Sequence, residues 1–299
     1  MINHFIKKQF FKPQWKLAIR QIDGNEITPQ NGEKWAYSVF EPDVGYWCAD
    51  PFLFEKDEQI YVFCECYIRK KHKGSIAVIR YKDGVISDPK VVIDQKYHMS
   101  YPCVFQYNNC YYMIPETCDN NTIELYKAVE FPDKWVLDTV LKKDIKCLDP
   151  TVFCKENQWY VLGYEGKGRR SNLLIFKLNM DMRTLQLYAK VDVDNAARPA
   201  GNLFYTKDKI IRPSQDCRKK YGGQILMNEV LLWEKDNYDE KVIDVLGCEN
   251  IEFKEKYRVD RIHTVNRLRD IEIIDFSQDK FDLLRGIKIL GARLRRWRA

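Results

Sequence analysis

Four near-copies of one short block constrain this chain more than anything else in it: ADPFLF from Ala49, SYPCVF from Ser100, LDPTVF from Leu148 and RPAGNLF from Arg198. Their closing phenylalanines, Phe54, Phe105, Phe153 and Phe204, recur every 48 to 51 residues. A repeat of about 50 residues with no helical periodicity inside it predicts a β-propeller, in which each repeat is one blade that buries its faces only against its neighbours. Each copy opens on a residue followed by proline, giving Asp50–Pro51, Tyr101–Pro102, Asp149–Pro150 and Arg198–Pro199. A second polar position follows each phenylalanine by a constant interval: Glu65, Glu116, Tyr164 with Glu165 beside it, and Gln215 with Asp216 beside it.

Between the two marked positions the pattern is strand, polar hairpin, strand, as in FEKDEQIYVFCE from Phe54 and FQYNNCYYMIPE from Phe105. A third strand follows each pair, in GSIAVIRY from Gly74, NTIELYKA from Asn121, SNLLIFKL from Ser171 and GGQILMNEV from Gly222. A fifth, degenerate copy, RIHTVNRLRDIEIIDF from Arg261, has His263 at the proline place and Asn266 at the phenylalanine place. The fold class is therefore all-β, a five-bladed propeller. The early segment WKLAIRQ from Trp15 is expected to add a strand to the incomplete last blade. The propeller is expected over residues 1–281, with a separate tail at 282–299.

That tail differs in composition. From Arg285 to Ala299 it carries six basic residues and no acidic one, interleaved with Ile287, Ile289, Leu290, Leu294 and Trp297. It reads as a short basic amphipathic helix able to lie on an anionic membrane surface; a helix capping the propeller and a basic tail are the alternatives. The net charge of +6 sits mostly there, and no nucleic-acid module is recognisable, so no nucleic-acid partner is expected. No apolar run has the length of an export signal or a membrane span, so a cytoplasmic chain is expected, at most peripheral to the membrane. The ten cysteines stand singly, without a Cys-x-x-Cys pair; neither a disulfide framework nor a metal site is expected from them, and no cofactor motif is present.

In a propeller the first strand of each blade lines the central channel, so the residues before each proline and those ending the second strand can converge at one mouth. Asp50, Glu116 and Asp149 are the candidate catalytic groups, because carboxylates facing one channel push each other's pKa values apart and so supply an acid and a base. Glycosyl transfer and glycoside hydrolysis both need that pair. Pure strand capping would keep one residue type from blade to blade, whereas Asp, Tyr, Asp and Arg alternate. Glu65, Tyr101, Glu165, Arg198, Arg212, Gln215, Asp216 and Tyr221 complete a candidate substrate-binding set. His98 and His263, two of only four histidines, could donate to a sugar oxygen or shuttle a proton. Gly222–Gly223 reads as a turn, since no helix pattern follows it.

The ordered run ADPFLF, HMSYPCVF, MIPET, TIELYKAVEFPDKW, LDPTVF, ARPAGNLF, RPSQDC, KYGGQI and IHTVN resembles the amino-terminal domain of the glucosamine inositolphosphorylceramide transferase family over roughly residues 35 to 276. More distantly, the Asp-Pro openings resemble the five-bladed arabinanase, xylosidase and fructosidase propellers. Those resemblances imply Asp50 as base or nucleophile, with Asp149 and Glu116 for the remaining roles, although Tyr101 stands where a second-blade acid would be expected. They imply a sugar, nucleotide sugar or glycolipid as partner. Three activities stay open: glycosyl transfer in cell-surface polysaccharide or glycolipid synthesis, non-catalytic glycan binding that positions a partner glycosyltransferase, and furanosidase-type hydrolysis.

Overall fold

The computed structural model describes residues 11–24, 26–41, 45–82, 84–167, 170–193, 197–206, 208–255 and 257–281. Five sheets, antiparallel except for one edge strand of the fifth, follow one another around an axis. Blade one holds Tyr46–Lys56, Gln59–Ile68 and Lys73–Lys82, with Lys90–Ile93 on its outer side. Blade two runs from Ser100 to Lys143, blade three from Leu148 to Asp192 and blade four from Phe204 to Gly247, four strands each. The polar stretch after blade four's third strand forms its fourth, Asn237–Gly247.

Blade five is composite. Arg261–Leu268 and Ile271–Phe281 come from the end of the described chain, and Phe11–Gln21 pairs along the whole length of the second of them. Trp35–Phe40 is the next strand, and Ile251–Phe253 adds a parallel edge. The ring is thus closed by hydrogen bonds between the two ends of the described chain. Apolar side chains fill the gaps between blades: Phe131 packs on Phe54, Tyr61, Phe63 and Tyr111, and Trp233 on Phe153, Tyr160 and Tyr238. All ten cysteines are free. The basic segment from Arg285 lies outside the described residues. Among the described ones no helix is long and apolar enough to cross a membrane.

The residues before proline do more than cap. Asp50, Tyr101 and Asp149 lie inside their strands with φ of +50°, +50° and +51°, and at each the pairing to the second strand slips. Each is a β-bulge in the left-handed region, a conformation that costs of the order of 1–3 kcal/mol for a residue with a Cβ. Blade five has the same slip between Ile262 and Val265, where His263 and Thr264 stand. A bulge takes one side chain out of the strict in-out alternation and frees its backbone N–H for a partner outside the blade. Blade four departs from the pattern. Arg198 and Pro199 reach it only through a bridge from Pro199 to Ser214, and Gly201, at φ +127°, carries the chain past Val265, whose carbonyl oxygen would lie 1.9 Å from any Cβ placed there.

Candidate active site at the channel mouth

The freed N–H groups are taken by carboxylates of the preceding blade. Asp275 of blade five accepts from Asp50 N at 2.9 Å, Asp50 accepts from Tyr101 N at 3.3 Å, and Glu116 of blade two accepts from Asp149 N at 2.9 Å. Asp149 in turn receives the Gln215 amide at 2.7 Å and both Nε and Nη2 of Arg198, whose bonds cross to blade four. Acids from successive blades therefore pass hand to hand around one end of the channel. Asp50, Glu65, Glu116, Asp149 and Asp275 are all buried, beside the Arg198 guanidinium and the imidazoles of His263 and His98.

Burial and crowding set their protonation. Burial, with Asp275 and Asp149 close by, lifts Asp50 to about 6 although His263 and the Thr264 hydroxyl pull it down. Burial, then Asp50, Glu116 and Asp275, push Glu65 well above the usual carboxylate range. Burial and the charge of Asp149 do the same to Glu116, with Arg198 opposing. Burial and crowding thus favour the neutral form of Glu65 and Glu116 beside an Asp50 that titrates near 6.

His263 sits between two acids, with Nδ1 2.6 Å from Asp275 and Nε2 3.6 Å from Asp50. Burial lowers its basicity, and Asp275 and Asp50 outweigh that, so its pKa is raised. The donor atoms of Asp50, His263 and Asp275 lie within 4.8 Å of one another. Asp275, however, already accepts the N–H groups of Asp50, His263 and Thr264 and faces the imidazole Nδ1. Its lone pairs are engaged, and the trio reads as a proton-sharing relay in place of a cation cage. On the opposite side His98 accepts the Gly74 N–H at Nδ1, which leaves the proton on Nε2, 3.4 Å from Glu65. Gly74 permits this approach: a Cβ there would stand 2.5 Å from Glu65 Oε1.

Beside the acids opens a cavity of about 380 Å³ lined by Tyr164, Arg198, Gln215, Cys217, Arg218 and Tyr221. The Arg198 guanidinium lies over the Tyr221 ring at 5.3 Å. An aromatic face, a guanidinium and an amide next to paired acids suit a sugar whose C–H face stacks while its hydroxyls are hydrogen-bonded.

Not every expected residue reaches this place. Arg212 is fully buried within blade four, paired with Glu240, which also accepts from Tyr238; it lines no part of the cavity, and its expected substrate contact is corrected to a structural one. Glu165 faces outward to Lys190, and its neighbour Tyr164 takes the inward place. Asp216 is held by Arg218 and Gln224. Tyr101 is fully buried: its hydroxyl accepts from Gly201 N at 2.6 Å and meets Thr151 at 2.9 Å, tying blade two to blades three and four. Tyr101→Phe would leave the Gly201 N–H without a partner and should cost about 1–3 kcal/mol by urea denaturation, with glycan affinity unchanged.

Asp275 was missed, because the fifth copy is degenerate and its acid falls off the repeat position. An aspartate inside the apolar run IEIIDF was the available signal, since an acid buried in a strand requires a partner. Thr264, whose hydroxyl donates to Asp50 at 3.0 Å, was missed as well.

Residues 41–278 match the family profile described as glucosamine inositolphosphorylceramide transferase 1, N-terminal. Similar curated proteins are glucosamine inositolphosphorylceramide transferase 1 of Arabidopsis thaliana, 31% identical over 204 residues, and that of Oryza sativa subsp. japonica, 28% identical over 242 residues. The matches cover 64% and 73% of this chain but 26% and 32% of those proteins, so the chain spans about a third of their length or less. Among solved structures, the catalytic domain of the Coprinopsis cinerea GH62 alpha-L-arabinofuranosidase superposes with a TM-score of 0.56 at 10% identity, over 86% of this chain and 84% of that one. That last likeness concerns the fold.

Proposed function

The chain belongs to the family of the amino-terminal domain of glucosamine inositolphosphorylceramide transferase 1, and from that premise we propose that its channel mouth is a carbohydrate-active site that transfers or trims a sugar in cell-surface polysaccharide or glycolipid synthesis. The observation that carries this reading is the set of acids whose burial and mutual repulsion raise Glu65 and Glu116 well above the usual carboxylate range while Asp50 titrates near 6. Glu116 then serves as the acid that protonates a leaving oxygen. Asp50 serves as the base or nucleophile, and Asp149, clasped by Arg198, supplies negative charge opposite a developing oxocarbenium ion. A sugar, a nucleotide sugar or a glycolipid head group would enter through the cavity beside Tyr221. The likeness in fold to an arabinofuranosidase is compatible with either transfer or hydrolysis.

A second reading, a glycan-binding module that positions a partner transferase, is favoured by one fact: the same carboxylates are ties between blades, so their presence has a structural use without chemistry. The two readings separate with Glu116→Gln. Incubated with a panel of nucleotide sugars and short glycans and read by mass spectrometry, the unsubstituted protein should turn over at least one. The glutamine variant should lose about 10²- to 10⁴-fold of that rate while binding as before. Binding without turnover in the unsubstituted protein would establish the positioning module instead.

A further inference from the structure

The strand that closes the ring also delivers a side chain to the site. Trp15, on Phe11–Gln21, is buried and stacks face to face on His263, with ring centroids 4.0 Å apart and planes 12° from parallel. Tyr221 meets both rings edge-on, at 5.2 Å from the imidazole and 6.0 Å from the indole. Gly222, at φ +68°, lets this wall close, since a Cβ there would lie 3.1 Å from the Trp15 ring and 3.2 Å from the Ile262 carbonyl. The imidazole therefore has an indole on one face, a phenol at its edge, Asp275 at Nδ1 and Asp50 beyond Nε2.

We infer that Trp15 is a positioning residue of the channel site: it holds the His263 imidazole in the plane that reaches both Asp275 and Asp50, and its π face stabilises that ring when protonated. An indole is the best of the aromatic faces for a cation, and more so where water is excluded. The charged and titratable groups facing His263 are Asp275 on the adjacent strand, Asp50 of blade one, and Arg198 and Tyr221 of blade four, and of these only Arg198 opposes its protonation. Because Trp15 arrives with the N-terminal strand, the acid-imidazole relay is complete only when the propeller is closed. The use made of the relay rests on the catalytic reading above; the placement of the imidazole does not.

The test is a titration of His263 by proton NMR in the full chain, simple to assign with only four histidines and a His263→Gln reference. In Trp15→Leu, which keeps an apolar cover but no π face, the His263 midpoint should move to lower pH while that of His72 stays in place. Trp15→Phe should restore most of the shift. An unchanged His263 midpoint in a folded Trp15→Leu protein would overturn the inference. If the leucine variant does not fold, Trp15→Met takes its place as an apolar cover without a π face: a His263 midpoint below that of the unsubstituted protein supports the inference, and an equal one overturns it. Because the readout is a proton equilibrium and not turnover, it stands even if the channel proves to be a binding site without chemistry.

Discussion

Replacing Asp50 by asparagine is expected to remove sugar transfer or hydrolysis by about 10²- to 10⁴-fold while the protein stays folded and still binds glycan. The amide keeps an oxygen to accept from Thr264, so the bulge and its contact with blade five persist. What it loses is the ability to take a proton. In the unsubstituted protein the rate should rise with pH through about 6 as Asp50 ionises, and fall at higher pH as Glu116, raised by burial and by Asp149, gives up the proton it must donate. The asparagine variant should lack the acidic limb. Retention of full turnover in a folded Asp50→Asn protein would remove Asp50 from the chemistry.

The same substitution has an opposite consequence for stability. Asp50 goes from its ordinary 3.8 in the unfolded chain to about 6 when folded. Between those values the folded state binds more protons than the unfolded one, so stability falls as the pH rises through that window. The loss is of the order of 2–3 kcal/mol, complete above about pH 6. His263, also raised on folding, acts in the same direction at higher pH: its contribution is full below its ordinary value of 6.5 and is lost as the pH climbs through its folded value. Urea midpoints measured across pH 4 to 8 should therefore decline in the unsubstituted protein and decline less in Asp50→Asn. At neutral pH the site thus keeps Asp50 in a charged form that its surroundings disfavour against the neutral acid, a cost in stability of the kind that functional groups carry.

The architecture was legible because propeller blades announce themselves locally. The Pro that follows each bulge, the polar hairpins and the aromatic strands recur at fixed offsets, and a period of about 50 residues leaves few other solutions. The acids at Asp50, Glu116 and Asp149 were legible for the same reason, since repeat-equivalent positions in a ring converge. Direction was harder to read. Tyr101 stands at the repeat position of Asp50, yet its longer side chain crosses to Gly201 and is sealed inside. Glu165 and Tyr164 are neighbours on one strand, and period two sends one outward as it sends the other in. No repeat offset marks Trp15 or Asp275 as a site residue, and only the placement of Asp275 inside the run IEIIDF hinted at a buried partner. Trp15 enters the site from the opposite end of the chain, and its role exists only in the closed ring.

Arg212 gives the other large expected effect, and it separates a structural cation from a binding one. Its guanidinium is fully buried, donating to Glu240 from Nε at 2.7 Å and again from Nη2, while Tyr238 donates to the same carboxylate at 2.6 Å and the Arg212 carbonyl accepts from Asn228 at 2.8 Å. Arg212→Met fills much of the volume but leaves the Glu240 carboxylate, itself almost wholly enclosed, without its countercharge. Breaking a buried pair from one side costs about 3–5 kcal/mol, a large part of a domain's whole stability. The urea midpoint should fall accordingly at an unchanged slope. The double replacement Arg212→Met with Glu240→Leu should recover most of the loss, because two apolar chains avoid the desolvation that each charge alone cannot repay. Glycan affinity per folded molecule should not move in either variant, since neither side chain reaches the cavity. A fall in affinity with little change in midpoint would instead restore Arg212 to the candidate substrate-binding set.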